Sequence, residues 1–188
     1  MGHSFPLTTE RLLIRSFNIG DAPTVQQLAG DRVIADTTRI VPHPYADGLA
    51  EEWIQSHQLP GPESTSIELA ITLRKETTLV GAISLVEINR KDSRAELGYW
   101  IGKPFWGLGY CTEAAAELLE YAFQTLGLNR VSARHLARNP ASGRVLEKIG
   151  MIHEGCLRQH NKKWETFEDV VIHGILAAEW ADLKGDKR

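Results

Sequence analysis

The chain has 188 residues, 43% of them hydrophobic, and a net charge of -3 at pH 7. That length suits one domain with a sizeable core, and the slightly acidic balance argues against direct nucleic-acid binding over a broad surface. Two cysteines, Cys111 and Cys156, without CxxC spacing argue against a disulfide framework or a zinc or other metal cluster and fit a reducing cytoplasm.

The first residues, MGHSFPLTTERLLIR, show no signal-peptide plan, and no run approaches the roughly 18 apolar residues of a membrane span. RLLIRSF, from Arg11 to Phe17, alternates in polarity and reads as a strand. In GDAPTVQQLA, Asp21 can cap, Pro23 falls in the first turn, and Val25 and Leu28 share a face, which predicts a short helix. Residues 36 to 48, DTTRIVPHPYADG, are broken by prolines and read as a loop. Asp47 can cap a second helix through Trp53, Ile54 and His57, ended by LPGPESTS. Strands are predicted at SIELAITLR and LVGAISLVEI, joined near Glu76, Thr77 and Thr78, and then at RAELGYWI, Arg94 to Ile101.

GKPFWGLGY follows as a glycine loop. Cys111 to Leu126 predicts a long amphipathic helix. Ala114, Ala115, Leu118, Leu119, Ala122 and Leu126 form one stripe, with Glu113, Glu117, Glu120 and Gln124 opposite. Gly127 reads as its stop. NRVSARHL is a further strand. In NPASGRVLEKIG, Asn139 can cap, Pro140 suits the first helical position and Gly150 ends a short helix. MIHEGCLRQH and TFEDVVIHGIL read as two last strands before a terminal turn at AAEWADL. The order β-α-α-β-β-β-α-β-α-β-β predicts a single α+β domain over residues 1–188, with a mixed sheet and helices around it.

The glycine loop lies between a strand and a helix start. The first amides of a helix lack internal partners and carry the positive end of its dipole, which suits a phosphate. Leu108, Gly109, Cys111 and Thr112 can offer backbone N–H groups, and no carboxylate occurs from Lys103 to Thr112. A plain connecting turn is the other reading. A P-loop is absent. A dinucleotide fingerprint fails because Gly107-x-Gly109-x-x-Thr112 lacks the third glycine and no acidic ribose partner follows the next strand.

ELGYWIGKPFWGLGYCTEAAAELLEYAF, LNRVSARHLARNPASGRVLEKIGM and EGCLRQH, in this order, resemble the GNAT superfamily of N-acetyltransferases, and within it the RimJ/RimL-like branch of ribosomal-protein N-terminal acetyltransferases. The likeness runs from LTTERLLIR to DVVIHGIL. It implies a central, mostly antiparallel twisted sheet of about seven strands, acetyl-CoA as cosubstrate and no metal. It also implies that the strand at Arg94–Ile101 splays from the next, so that a pantetheine arm pairs with free backbone near Tyr99, Trp100 and Ile101. Ordinary core packing is the other reading of Trp100. In the superfamily's loop pattern, Trp106 takes a place usually held by Arg or Gln, then come Gly107 and Gly109, and Cys111 holds a small-residue place. An activated thiol at Cys111 is the alternative.

Ser142, Val145, Leu146 and Ile149 recur on one helical stripe, so the Ser142 hydroxyl needs a partner. A nearby carbonyl satisfies it in one reading. The resemblance implies the other: Ser142 protonates the departing thiolate, with Asn139 near the pantetheine or substrate. For the general base Glu96 ranks first, Glu154 second, and His135 and His160 lower. A water relay stays open, because an α-amine of pKa about 8 is already partly neutral near pH 7. The resemblance implies an amine acceptor, a protein or peptide α-amine or else a small-molecule amine, shaped by the segment from Thr37 to His57 with Trp164 at its rim. A monomer or homodimer without membrane contact is expected. A non-catalytic acetyl-CoA-binding module is the remaining alternative.

Overall fold

The computed structural model describes residues 5–56 and 64–185. Eight strands build one sheet: β1 (Leu7–Thr8), β2 (Leu12–Ser16), β3 (Ile67–Leu73), β4 (Leu79–Asn89), β5 (Arg94–Ile101), β6 (Arg130–Leu136), β7 (Ile152–Lys163) and β8 (Thr166–Leu176). Their spatial order is β1-β2-β3-β4-β5-β6-β8-β7. Every neighbouring pair is antiparallel except β5 and β6, which run parallel. The expected sheet of about seven strands thus gains a short edge strand at Leu7–Thr8, too brief to leave a period in the sequence.

Six helices surround the sheet: α1 (Ala22–Ala29), α2 (Arg32–Thr37), α3 (Leu49–Ser56), α4 (Tyr110–Glu120), α5 (Pro140–Lys148) and α6 (Ala177–Gly185). Alternation along the strands gives each face its own core. On one face Leu118, Leu146 and Trp180, from α4, α5 and α6, pack with Ile14, Leu69, Ile83 and Leu97. On the other, Val25 and Ile54, from α1 and α3, pack with Ala70, Leu79 and the half-buried Trp100.

Several local expectations change. Residues 36 and 37 belong to α2, not to a loop, because Asp31 caps that helix at the Val33 amide (3.0 Å) and Ile34 and Ala35 are buried. Asp21 precedes α1 but does not cap it; its carboxylate is taken by Arg15 (2.7 Å to each oxygen) and the Asn18 amide (2.9 Å). The long helix begins at Tyr110, and its last part, Tyr121–Thr125, widens into a π-helical turn before Gly127 reverses the chain at φ 65°. The terminal turn is a full helix, α6. His57 lies outside the described residues.

The feature that positions the site is a parting of strands. β5 pairs with β6 from Arg94↔Arg130 to Leu97↔Ala133 and no further. Beyond that point β5 stays with β4 as far as Ile101, and β6 stays with β8 as far as Leu136. The strands diverge where β5 runs into the glycine loop.

Candidate active site

A cavity of about 940 Å³ follows this parting and is lined from both faces of the sheet. On the α4 and α5 side it is walled by Tyr99, Ile101, Trp106, Gly107, Gly109, Cys111, Thr112, Asn139 and Ser142, all singled out from the sequence. On the α1 side it is walled by Trp100 and Glu96 together with Thr37, Arg39, Tyr45, Trp53 and Glu68.

The glycine loop is built for close approach. Gly107 and Gly109 sit at φ 76° and 80°, and Gly109 is the residue at which α4 begins. A Cβ at Gly107 would meet nothing, and one at Gly109 would meet only the Arg11 guanidinium, 3.3 Å away. Both positions therefore present bare backbone toward open space at a helix N-terminus. Leu108 does not line the cavity. Its side chain is exposed, and its carbonyl accepts from Arg11 Nη1 at 2.9 Å. Trp106 folds back so that its indole N–H donates to the Ile101 carbonyl at 2.5 Å. Cys111 faces the cavity, but burial pushes its thiol well above the usual range, so the thiolate that nucleophilic chemistry needs is disfavoured. This corrects the alternative of an activated thiol.

Arg11 was not singled out in the sequence. Its Nε donates to Glu113 Oε2 (2.6 Å), its guanidinium lies over the Tyr110 ring (4.8 Å to the centroid), and Thr9 Oγ1 reaches Glu113 Oε1 at 2.6 Å. The one carboxylate in the first turn of α4 is thereby neutralised.

Ser142 sits one turn into α5. Its Oγ is 2.9 Å from the Tyr99 hydroxyl, which also donates to the Ser142 carbonyl at 3.1 Å. Burial raises the Tyr99 phenol far above its ordinary value, so it stays protonated. Asn139 caps α5 by accepting from the Ser142 amide (3.3 Å), and its Nδ2 donates to the Thr37 carbonyl (3.0 Å), tying the two sides of the cavity together.

Glu96 is 3% exposed, although its place at the start of a strand also allows a solvated side chain. Arg39 Nη2 lies 2.6 Å from Oε1 and Arg134 Nε 3.1 Å from Oε2, the latter too far off line for a hydrogen bond. Burial raises its carboxyl, and the two guanidiniums pull the other way without reversing the shift. Glu154 is elsewhere: it forms a bidentate pair with Arg130 and is held below the usual carboxylate range. His160 is exposed on β7 and does not line the cavity. His135 does line it. Its Nδ1 donates to the Leu136 carbonyl (2.9 Å), which leaves Nε2 as an acceptor beside Gly143. Trp164 stands outside the cavity, 3.5 Å from Asp36 through its indole nitrogen, while Lys163 donates to the Val41 carbonyl (2.8 Å). The β7–β8 turn thus braces the loop after α2.

Glu68 was missed. In SIELAITLR it alternates with Ile67, Leu69 and Ile71, which reads as a solvent-facing position. Only the helices over the second face reveal that it is enclosed. Burial pushes its carboxyl up to about 7, opposed only by the Ser84 hydroxyl.

Residues 11–152 match the model of the acetyltransferase (GNAT) domain family. An uncharacterized N-acetyltransferase, p20, of Bacillus licheniformis is 30% identical over 93% of this chain and 98% of its own length. The putative ribosomal N-acetyltransferase YdaF of Bacillus subtilis is 39% identical over 57% of this chain and 58% of its own. The crystal structure of spermidine N-acetyltransferase from Vibrio cholerae, in complex with CoA and spermine, superposes with a TM-score of 0.80 over 92% of this chain and 99% of that one, at 22% identity, which speaks for the fold. This chain belongs to the GNAT family and is an N-acetyltransferase of its RimJ/RimL-like branch.

Proposed function

We propose that the protein transfers an acetyl group from acetyl-CoA to a primary amine, most naturally the α-amine of a protein or peptide, by direct attack on the thioester. The observation that carries this reading is the parting of β5 from β6 beside a helix headed by two left-handed glycines. It supplies free strand backbone next to an anion-binding N-terminus, which is the shape of a pantetheine arm and its pyrophosphate.

The residues present fit that cosubstrate. The bare backbone of Gly107 and Gly109 gives room for phosphates, and Arg11 removes the one nearby negative charge by pairing with Glu113. Unpaired amides of β5 beyond Leu97 can hold the pantetheine and polarise the acyl oxygen. The acetyl thioester supplies the activated acyl carbon when bound. The Ser142 hydroxyl lies 2.9 Å from the Tyr99 hydroxyl, and its proton passes to the sulfur as the carbon–sulfur bond breaks. Much of the rate gain comes from holding the two reactants in line.

The acceptor enters from the α1 side, between Tyr45, Trp53 and Trp100. Two arginines bracket Glu96 and occupy its charge, which disfavours a second ammonium group beside it and so a polycation. A monoamine with an apolar neighbour fits best, and YdaF's description as a ribosomal N-acetyltransferase points toward peptide α-amines. The test is a thermal-shift comparison of CoA, acetyl-CoA, NAD and ATP, followed by thiol release with a peptide amine, a free amino acid and a polyamine. Stabilisation by CoA and acetyl-CoA alone, with turnover of the peptide, is expected. Stabilisation by NAD alone, or binding without thiol release from any amine, overturns the reading.

A further inference from the structure

Two carboxylates face the acceptor side of the cavity, and their surroundings differ. Glu68 on β3 pairs with Ser84 on β4, and Ser84 pairs with Gly98 on β5. Residues directly opposite on paired strands project from the same face, so these three form a row that ends where β5 leaves β6. Gly98 is part of the design: a Cβ there would come within 2.9 Å of Ser84 Oγ, so the glycine keeps the row open. Glu96 lies two residues before Gly98, on the same face.

Glu96 is bracketed by Arg39 and Arg134. An ammonium group arriving there would meet two guanidiniums of its own sign. Glu68 forms no ion pair among the described residues. It shares the acceptor side of the cavity with Tyr45, Trp53 and Trp100, and among the described residues the Ser84 hydroxyl favours its charge. Strands about 4.8 Å apart set the Glu68 Cα roughly 10 Å from that of Gly98. The glutamate side chain covers part of that span, and one amine or one water covers the rest.

Resting on the acetyl-transfer reading above, we infer that Glu68 binds the acceptor's ammonium group and takes its first proton, and that Glu96 instead anchors Arg39 and Arg134. The acceptor class is a primary monoamine. The balance is simple. One N–H proton passes to Glu68, directly or through water, leaving a neutral amine. A nitrogen–carbon bond forms as the carbon–sulfur bond breaks. The second proton shed by nitrogen passes through water to Ser142 and replaces the one that Ser142 gives to sulfur, and Glu68 releases its own to solvent. Two carboxylates in one cavity, one charge-paired and one in an apolar wall, are an arrangement that separates an anchor from a base.

Among the described residues, the other charged or titratable groups lining this side of the cavity are Glu96, Arg39, Arg134 and Tyr45, with the Arg15–Asp21 pair beyond the lining, and the arginines keep their charge across the range tested. The experiment compares wild type with Glu68→Gln and Glu96→Gln, using acetyl-CoA and a seryl tripeptide amide. For Glu68→Gln, kcat/KM should fall about 10²-fold or more near pH 7, with part of the loss recovered at higher pH as free amine arises unaided. Acetyl-CoA affinity by calorimetry should hold within about twofold. Chemical denaturation from about pH 5 to 8, on protein without ligands, should show wild type losing stability relative to Glu68→Gln as pH rises. A Glu68→Gln rate within about twofold of wild type at every pH overturns the inference. So does a pH-recovered loss in Glu96→Gln alone, or a stability difference that stays flat with pH. Failure of wild type to bind acetyl-CoA sinks the acetyl-transfer reading instead, and the denaturation series still decides the state of Glu68.

Discussion

Ser142 owes its usefulness to Tyr99. A lone hydroxyl on a helix usually returns its proton to a carbonyl of the preceding turn. Here the phenol, kept protonated by burial, gives its one proton to the Ser142 carbonyl, and its oxygen, 2.9 Å from Oγ, can accept the Ser142 proton in place of that carbonyl. Ser142→Ala should therefore lower kcat well beyond any change in acetyl-CoA affinity, and Tyr99→Phe should produce a smaller loss of the same kind. Steady-state kinetics alongside calorimetry checks both, and a stability loss with unchanged rate per folded molecule would make Ser142 structural. At Gly109 the constraint is backbone geometry. Gly109→Val forces a branched residue to φ 80° and crowds Arg11, so acetyl-CoA binding should weaken at least about tenfold, or about 1.4 kcal/mol. Ser142, Asn139 and the two glycines were legible in the sequence because each sits at a fixed offset from a helix start. Glu68 was not, since nothing within its own strand shows that a helical layer covers it.

At the level of elements, the loop after β5 is held from the far edge of the sheet. Arg11, at the start of β2, grips Leu108 and Glu113 on either side of Gly109. The family pattern places Arg or Gln where this chain has Trp106; here a cation comes from another strand. Arg11→Ala should raise the Kd for acetyl-CoA yet leave use of acetylpantetheine, which lacks the pyrophosphate, nearly unchanged. Equal losses for both would reduce Arg11 to general support. The link is also sensitive to acid. Hydrogen bonds from Thr9 and Arg11 hold the Glu113 carboxyl below its usual 4.5 despite burial, so its stabilising contribution is full above that value and fades as pH falls through the lowered one. Acetyl-CoA affinity measured down a pH series should fall in that acidic window. The helix itself was easy to read, because its stripe of Ala114, Ala115, Leu118 and Leu119 is fully buried. Leu118→Ala should cost about 2–5 kcal/mol in chemical denaturation. The π turn at Tyr121–Thr125 was not legible: the apolar period continues smoothly across it.

For the molecule as a whole, the element order and the mostly antiparallel sheet followed from the sequence and the family likeness, whereas the pairing of Arg39 and Arg134 with one glutamate depended on where a loop and two strands meet. Burying a carboxyl at Glu68 carries a cost to the fold. Its pKa rises from 4.5 to about 7. The folded state then binds the extra proton between those values, and stability declines as pH climbs through that interval. Above it, Glu68→Gln should be more stable than wild type by an amount on the order of 2–3 kcal/mol, read from urea midpoints.

The parting of β5 and β6 makes the sheet a partition with a slot in it. On the proposed function, cosubstrate and acceptor reach the slot from opposite sides, so neither has to wait for the other to pass. Their order of arrival is free, and departure is equally uncoupled: spent CoA backs out on the α4 side while the acetylated chain withdraws on the α1 side. On the proposed reading, a folded protein acceptor need thread only its first few residues between Tyr45 and Trp53, with the bulk of its body remaining outside. Initial-rate plots should intersect, and CoA should compete with acetyl-CoA but not with the amine.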